Sequence, residues 1–400
     1  MGYRVDSMPR GRAKQRLPGA GIRLKAFYFF YFGAGGALIP YLNLYLARAG
    51  LTGTEIGIMS GTIPVVTILA VPLWSAIGDL SRLHTRILYL TLAAAVPFAI
   101  GISLTRSLWA LVILVCGYAF FMSPAPPLID SIALRYLSSR PEEYGGLRVW
   151  GAVGWGVSAP AVGYLIRGLG VSVIFYAYAA FILVGLMTLI GLPNTPVESD
   201  KPSVRDFGAL LRSRPWQLFL FCIFLVGVCS NVLEHYFVLF LDDLGGSEWS
   251  FGVSVAVASL SEIPVFLLAA PLMRRYGARG LLLSAFLIYA IRAGVYAGIR
   301  NPLLAIPAQL LHGPTFSALW VGGVAYAASR APRGLGATAQ AAFNSVFMGV
   351  AAAAGAVLGG VLYDTLGLGP TFLICGALSL LGFALLLLGG SPGNARTAAD

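Results

Sequence analysis

Charged residues are scarce in this chain of 400 residues. Asp, Glu, Lys and Arg together make up 11% of it and hydrophobic residues 58%, whereas about 25% of an ordinary soluble domain is charged. The mean hydropathy is +0.81. This composition excludes a water-soluble fold and predicts that most of the chain lies in the hydrocarbon of a membrane.

Several functional motifs are also absent. The sequence contains no ATP-binding loop of the Gly-x-x-x-x-Gly-Lys-Ser/Thr type, no His and Cys cluster with metal-ligand spacing, and no nucleophile elbow or dinucleotide fingerprint. The four cysteines lie singly within apolar segments, which is typical of packing residues rather than of disulfides. We therefore expect no enzyme activity, no cofactor, and neither a catalytic nor a metal site.

Twelve apolar runs are separated by Gly, Pro and charged residues. They cover about residues 25–47, 55–77, 87–105, 108–135, 146–167, 171–192, 215–241, 249–273, 281–299, 302–328, 337–362 and 369–390. Because a membrane-spanning helix needs about 20 residues, the runs predict twelve transmembrane helices in two pseudo-symmetric six-helix bundles. The predicted order is a basic tail (1–24), an N-terminal bundle (25–192), a linker (193–214), a C-terminal bundle (215–390) and a short tail (391–400).

The positive charges alternate between the loops. With the N-terminus inside, 22 of the 27 Lys and Arg residues fall on the inner side and four on the outer side, and Arg292 lies within a span. The positive-inside rule then predicts that both termini are cytoplasmic. Since the net charge of +11 is explained by this topology, we expect no nucleic-acid partner. The run after the basic start is too long for a removable signal peptide.

The two halves of the sequence resemble each other. Spans 2 and 8 begin with Thr54-Glu55-Ile56-Gly57 and with residues 247–252 (Ser-Glu-Trp-Ser-Phe-Gly), and each continues through two prolines into a short basic loop. Such a repeat predicts two copies of one six-helix unit, with the substrate held between them near the midplane of the membrane.

Ionisable residues within the spans of the N-terminal half mark a candidate site, because each is costly to insert into a bilayer. Asp130 near the inner end of span 4 and Arg148 at the start of span 5 lie at similar depth, so they could form a structural ion pair or bind substrate. Trp155 follows Arg148 by two helical turns on the same face, where an indole could stack on a sugar or merely pack between helices.

The C-terminal half has a second group. Glu262 in span 8 and Arg292 in span 9 lie at compatible depths for an ion pair, and a carboxylate so placed could bind and release a proton during transport. His312 in span 10 is either a hydrogen-bonded core residue or part of this site. Glu234 and His235 lie in the outer third of span 7, where a water-filled vestibule would also explain them.

The sequence from the aromatic start of span 1 to span 11 resembles the lactose permease group of the major facilitator superfamily. The most specific match is the segment from Tyr144 to Trp155, with Asp130 at the family's spacing before it. The resemblance implies that Asp130, Arg148, Trp155, Glu262 and His312 bind substrate. It also implies that Glu262, Arg292, His312 and Glu234 couple transport to protons.

Three positions depart from that group, and other details resemble the phenylpropionate permease branch. Thr315, Gln309 and Val265 stand where the lactose group has a glutamate, a lysine and an asparagine. Residues 261–264, 309–316 and 336–340 are more similar to the phenylpropionate branch. The loop from Gly78 to Arg86 resembles the signature loop of the superfamily, which implies that Asp79, Arg82 and Arg86 take part in gating.

The function expected from these features is proton-coupled symport of a small organic solute, most similar to a sugar or oligosaccharide, by alternating access. The alternatives are proton symport of an aromatic carboxylate such as phenylpropionate, and a transporter-like receptor that binds a ligand without moving it. We expect a monomeric, multi-pass integral protein of the plasma membrane, which is the inner membrane in bacteria. Its partners are a small-molecule substrate, protons and lipid.

Overall fold

The computed structural model describes residues 19–81, 83–137, 144–190, 213–331 and 336–389, and the structural statements below concern these residues. Their regular structure is entirely helical. The N-terminal half contains α1 (Ala20–Arg48), α2 (Gly53–Ser81), α3 (His84–Leu104), α4 (Leu108–Met122), α5 (Ala125–Leu137), α6 (Tyr144–Leu169) and α7 (Val173–Leu189).

The C-terminal half has more, shorter elements. It contains α8 (Arg214–His235), α9 (Phe237–Asp243), α10 (Glu248–Leu267), α11 (Ala269–Gly298), α12 (Ala305–Ala308), α13 (His312–Arg330), α14 (Gly336–Asn344), α15 (Ala351–Leu366) and α16 (Leu368–Leu388). Two 3₁₀ turns (Pro302–Leu304 and Gln309–Leu311) flank α12, and a π-helix (Ser345–Val350) joins α14 to α15.

Nine helices in the described part of the chain are long and apolar enough to cross a membrane. Large apolar side chains such as Trp109 and Leu267 are 77% exposed on their surfaces, as expected for side chains that contact lipid. The chain is helical in all twelve segments expected to span, although α1 begins at Ala20, within the predicted tail. The number of spans and the side on which the termini lie stay predictions. Most of the predicted tails and linker lies outside the described residues.

Several predicted spans are interrupted rather than continuous. Span 4 is divided between α4 and α5 around Pro124, because proline lacks an amide hydrogen and its ring disturbs the preceding turn. Span 7 breaks at Tyr236, and span 10 begins with the short turns around α12. Within α11, Gly277 has a φ of 66°, which separates the short segment Ala269–Tyr276 from the remainder of the helix.

The predicted repeat is visible in the connections. Gly50 before α2 and Gly245 before α10 both have left-handed backbone, with φ values of 93° and 73°. Both helices also start with a hydroxyl cap: the Thr52 Oγ1 accepts from the Glu55 amide, and the Ser247 Oγ accepts from the Ser250 amide, at 3.2 Å each. The two halves therefore begin their second helices in the same way.

The halves contact each other mainly through α2 with α15 and α6 with α10, and α1 also contacts α9. Glycines permit the close approach. A Cβ on Gly252 of α10 would lie 2.6 Å from the Pro160 Cα of α6, and one on Gly57 of α2 would lie 2.5 Å from the Ala356 carbonyl oxygen of α15. These helices meet backbone to backbone.

The hydrogen bonds and ion pairs that join described residues of the two halves lie towards one end of the molecule, which we call the closed end. The α1–α2, α9–α10 and α15–α16 connections are at this end. Arg48 binds the carboxylates of Asp242 at 2.9 Å and Glu248 at 2.7 Å. Asp364 accepts from the Gly53 and Thr54 amides at 2.7 Å each, which places its charge at the N-terminus of α2.

Candidate functional site

Asp130 is held by tyrosines. Its Oδ1 accepts from the Tyr28 hydroxyl of α1 at 2.9 Å and from the Tyr144 hydroxyl of α6 at 2.8 Å. Among the described residues it forms no ion pair with Arg148, so the pairing considered from the sequence is wrong for this conformation. Instead, two hydroxyl donors occupy one oxygen of the half-buried carboxylate.

Arg148 lies on an aromatic ring instead. Its guanidinium carbon is 4.0 Å from the centroid of the Phe32 ring of α1, a favourable cation–π geometry. No hydrogen bond or ion pair joins its guanidinium to another residue of the described part of the chain. Phe32 therefore positions the cation without satisfying its hydrogen bonds.

Trp155 lies two turns further along α6 and also faces α1. A Cβ on Gly35 of α1 would lie 2.7 Å from the indole ring, and one on Gly154 would collide with the Phe29 carbonyl. Arg148 and Trp155 thus both contact α1, as expected from their spacing of two helical turns, and the α6 glycines allow the close approach of the two helices. The half-buried Trp155 ring both packs on Gly35 and retains some accessible surface.

Glu234, Glu262 and His312 meet in the C-terminal half. The His312 Nε2 is 3.2 Å from the Glu262 Oε1, and its Nδ1 is 3.8 Å from the Glu234 Oε1. The side chains are 13% exposed for His312, 25% for Glu262 and 40% for Glu234. One imidazole thus lies between carboxylates from α8 and α10, where it can carry a proton to either.

Arg292 lies near this group, but its hydrogen bonds to described residues go to neutral acceptors. It is 1% exposed and donates to the Tyr296 hydroxyl at 2.9 Å, the Gln309 Oε1 at 3.0 Å and the Thr315 Oγ1 at 3.3 Å. The ion pair between Arg292 and Glu262 that the sequence suggested does not form among the described residues in this conformation, because Glu262 pairs with His312. The neutral residues Gln309 and Thr315, noted as departures from the lactose group, are the ones that solvate the guanidinium.

The predicted gating residues are only partly described. The side chain of Asp79 and all of Arg82 lie outside the described residues, and Arg86 is exposed in the first turn of α3. Their role in gating stays a prediction.

Sequence reasoning missed the tyrosine ligands of Asp130 and the buried amide of Asn43. Tyr28 is part of an aromatic run that suggested packing alone. Asn43 is 4% exposed in α1, and a single amide within an apolar span was the available signal.

Comparison with known proteins gives consistent results. Residues 21–374 match the MFS_1 like family. The chain is 32% identical over 364 residues to a maltose permease of Geobacillus stearothermophilus, covering 90% of this chain and 92% of that protein. It is 28% identical over 351 residues to a probable 3-phenylpropionic acid transporter of Escherichia coli strain K12, covering 86% and 91% of the two chains.

A solved structure also has the same fold. The crystal structure of the nucleoside transporter NupG superposes with a TM-score of 0.85 at 16% identity, covering 93% of this chain and 99% of that chain. At this identity the likeness concerns the fold, including the packing of two helical halves against each other.

Proposed function

This chain belongs to the MFS_1 like family, and we propose that it moves a small sugar-like solute together with protons. Its membership and its relatives make it a multi-pass integral membrane protein and a secondary transporter, not an enzyme. The sugar and the proton are our proposal. The 32% identity to a maltose permease over nine-tenths of the chain supports the sugar.

The arrangement of Glu234, His312 and Glu262 is the observation that carries the proton coupling. A charge within a bilayer costs about 2.5–3.5 kcal/mol on insertion scales, so three ionisable groups in contact at partial exposure are expensive to keep. An imidazole can take part in proton transfer, and the two nitrogens of this one lie 3.2 Å and 3.8 Å from carboxylates that can exchange a proton with it. Loading and release of that proton would then accompany substrate movement.

The sugar would bind between the two halves. Hydroxyl groups can donate to Glu262 and accept from Arg148, and the Trp155 ring offers an apolar face for a pyranose. Arg292, solvated by neutral groups, would remain a fixed cation near the proton site. We propose that both termini are cytoplasmic, so that the closed end faces outwards and the site opens to the cytoplasm in this conformation.

The test is proton movement in proteoliposomes that carry an internal pH dye. Maltose, 3-phenylpropionate and uridine are added in turn to the wild type and to Glu262→Gln. We expect maltose to cause proton entry in the wild type and none in the variant, with maltose counterflow retained. Glu55→Gln is the matched control, because Glu55 is a partly exposed capping residue at the start of α2 and should leave proton entry unchanged.

The expected driving force sets the size of the effect. Each charge moved across 100 mV is worth about 2.3 kcal/mol, which corresponds to roughly 50-fold accumulation for one proton per solute. Accumulation of labelled maltose that is equal in the wild type and Glu262→Gln would refute the assignment of Glu262. Counterflow without proton movement for every solute would refute symport.

Arg148 favours the second candidate, an aromatic carboxylate. A guanidinium that lies on Phe32, with no hydrogen bond to another described residue, can bind a carboxylate through two parallel N–H donors, and one relative is named as a probable 3-phenylpropionic acid transporter. Proton entry evoked by 3-phenylpropionate and not by maltose would select this candidate. Binding without counterflow of any solute would select the receptor alternative.

A further inference from the structure

The helix that carries Glu234 is interrupted two residues later. α8 ends at His235, Tyr236 has non-continuing backbone (φ −99°, ψ 0°), and α9 starts at Phe237. Helical hydrogen bonding resumes with the Tyr236 carbonyl, which accepts from the Phe240 amide at 2.9 Å. The break therefore lies directly between the site residue Glu234 and α9, which leads to the closed end.

Asn43 of the other half binds the carbonyl at this break. Its Nδ2 donates to the His235 carbonyl oxygen at 2.7 Å, and its Oδ1 accepts from the Ser60 hydroxyl of α2 at 2.7 Å. Asn43 and Ser60 are each 4% exposed. Because a buried amide is costly to leave without its hydrogen-bond partner, this clasp between the halves specifies their relative position.

Tyr236 fixes the break from the other side. Its hydroxyl donates to the Ala356 carbonyl oxygen of α15 at 2.6 Å, and its ring is fully buried. A Cβ on Gly359 of α15 would lie 2.5 Å from the Tyr236 ring, and one on Gly57 of α2 would lie 3.0 Å from its hydroxyl oxygen. Tyr236 thus fills the contact between α2 and α15 that holds the closed end together.

We propose that the break at Tyr236 couples the occupancy and charge of the Glu234 site to the closure of the closed end, with Asn43 as the positioning residue. Glu234, His235 and Tyr236 are consecutive, so a rotation that changes the approach of Glu234 to His312 also moves the His235 carbonyl relative to Asn43. Separation of the halves breaks the Asn43 bond, and its formation holds α8 in the orientation that presents Glu234 to His312.

The groups around Glu234 belong to three helices. Ser230 of α8 lies 3.4 Å from its Oε1, and His312 of α13 lies 3.8 Å from it. Tyr289 and Arg292 of α11 interact with it electrostatically. Removing the Glu234 charge therefore alters the position of α8 towards both α11 and α13, and the clasp converts this shift into a change at the closed end.

A thiol-labelling cycle tests the coupling. Leu44 is 1% exposed and lies in the contact of α1 with α9 and α10, so Leu44→Cys reports opening of the closed end to a bulky maleimide in purified, detergent-solubilised protein. The reporter is combined with Glu234→Gln, with Asn43→Asp and with both. Asn43→Asp keeps the size and the Ser60 acceptor but removes the donor to His235.

We expect Glu234→Gln to change the labelling rate by about fivefold or more, which is the lower end of the usual range of allosteric coupling. In the Asn43→Asp background, the same substitution should change the rate by less than about twofold. Asn231→Asp is the matched control, because the Asn231 Nδ2 donates to the Gly227 carbonyl within α8 at 2.8 Å and, among the described residues, forms no hydrogen bond with a second helix. In that background the factor should persist. If Asn43→Asp does not fold, Ser60→Ala takes its place. This substitution removes only the hydrogen bond from the Ser60 hydroxyl to the Asn43 Oδ1, and it should also reduce the factor.

An unchanged factor in both Asn43→Asp and Ser60→Ala would overturn the proposal, as would no effect of Glu234→Gln on labelling. If the factor falls as much in the Asn231→Asp background as in the Asn43→Asp background, Asn43 has only a structural role and the proposal is also overturned. The proposal rests on the proposed function only in taking Glu234 as part of the transport site. Since labelling needs no substrate, absence of proton entry would refute symport and leave this test intact.

Discussion

Substitution of Gly252 by valine should open the closed end. The Cβ of residue 252 would lie 2.6 Å from the Pro160 Cα and 2.8 Å from the Ala159 carbonyl oxygen. Both atoms belong to the backbone of α6, which cannot rotate away as a side chain can. Because the collision is between the two halves and not within one, separation of the halves relieves it without unfolding either.

The size of the effect follows from competing terms. Overpacking of a well-packed contact costs about 1–3 kcal/mol, which corresponds to roughly a 5- to 150-fold shift of the equilibrium towards the open form. The Arg48 ion pairs oppose opening, but Arg48 and Asp242 are 38% and 39% exposed, and exposed pairs contribute about 0.2–1 kcal/mol each. The steric term is therefore expected to dominate.

The assay is the rate of maleimide labelling of Leu44→Cys with and without Gly252→Val. Gly294→Val in α11 is the control, since a Cβ there meets no atom within 4 Å. We expect labelling at least about fivefold faster with Gly252→Val and unchanged with Gly294→Val. Unchanged labelling with Gly252→Val, in protein that retains its melting temperature, would refute the view that glycine contacts hold the closed end.

Three further outcomes are expected. Arg48→Gln should accelerate the same labelling less than Gly252→Val does, and by no more than about 30-fold, because two surface ion pairs contribute at most about 1 kcal/mol each; a larger effect would mean that charge outweighs packing. Gln309→Glu should raise the melting temperature and slow counterflow, because it gives the buried Arg292 an anionic acceptor at a contact of 3.0 Å. A lower melting temperature would contradict this. Phe32→Ala should raise the KM for transport by about fivefold through loss of the Arg148 platform, whereas Phe32→Tyr should not; equal KM values in both variants would remove Phe32 from the site.

The individual site residues were predictable from the sequence to different degrees. Glu262 and His312 were identified because ionisable groups are costly within spans, and the structure brings them together with Glu234. Their partners were less accessible to such reasoning. Position along a helix can be counted from the sequence, but rotation about the helix axis depends on packing, so the neighbours of Arg292 were not anticipated.

The helix interruptions also differ in how far the sequence indicates them. The separation of α4 and α5 coincides with Pro124, Pro126 and Pro127, which are a local signal in the sequence. The break at Tyr236 has no proline or glycine beside it. It is stabilised by Asn43 of α1 and by the Ala356 carbonyl of α15, which are distant in sequence.

The sequence by itself determined the membrane setting, the positions of the apolar helices, the repeat and the family resemblance, because these depend on local composition and on spacing along the chain. Only the tertiary structure decided which charged groups are partners and which end of the molecule is closed. Those outcomes depend on contacts between helices far apart in sequence, such as Arg48 with Glu248 and Asn43 with His235. A hydrogen bond of 2.7 Å needs both its atoms placed in space, and that placement comes from the packing of the two halves.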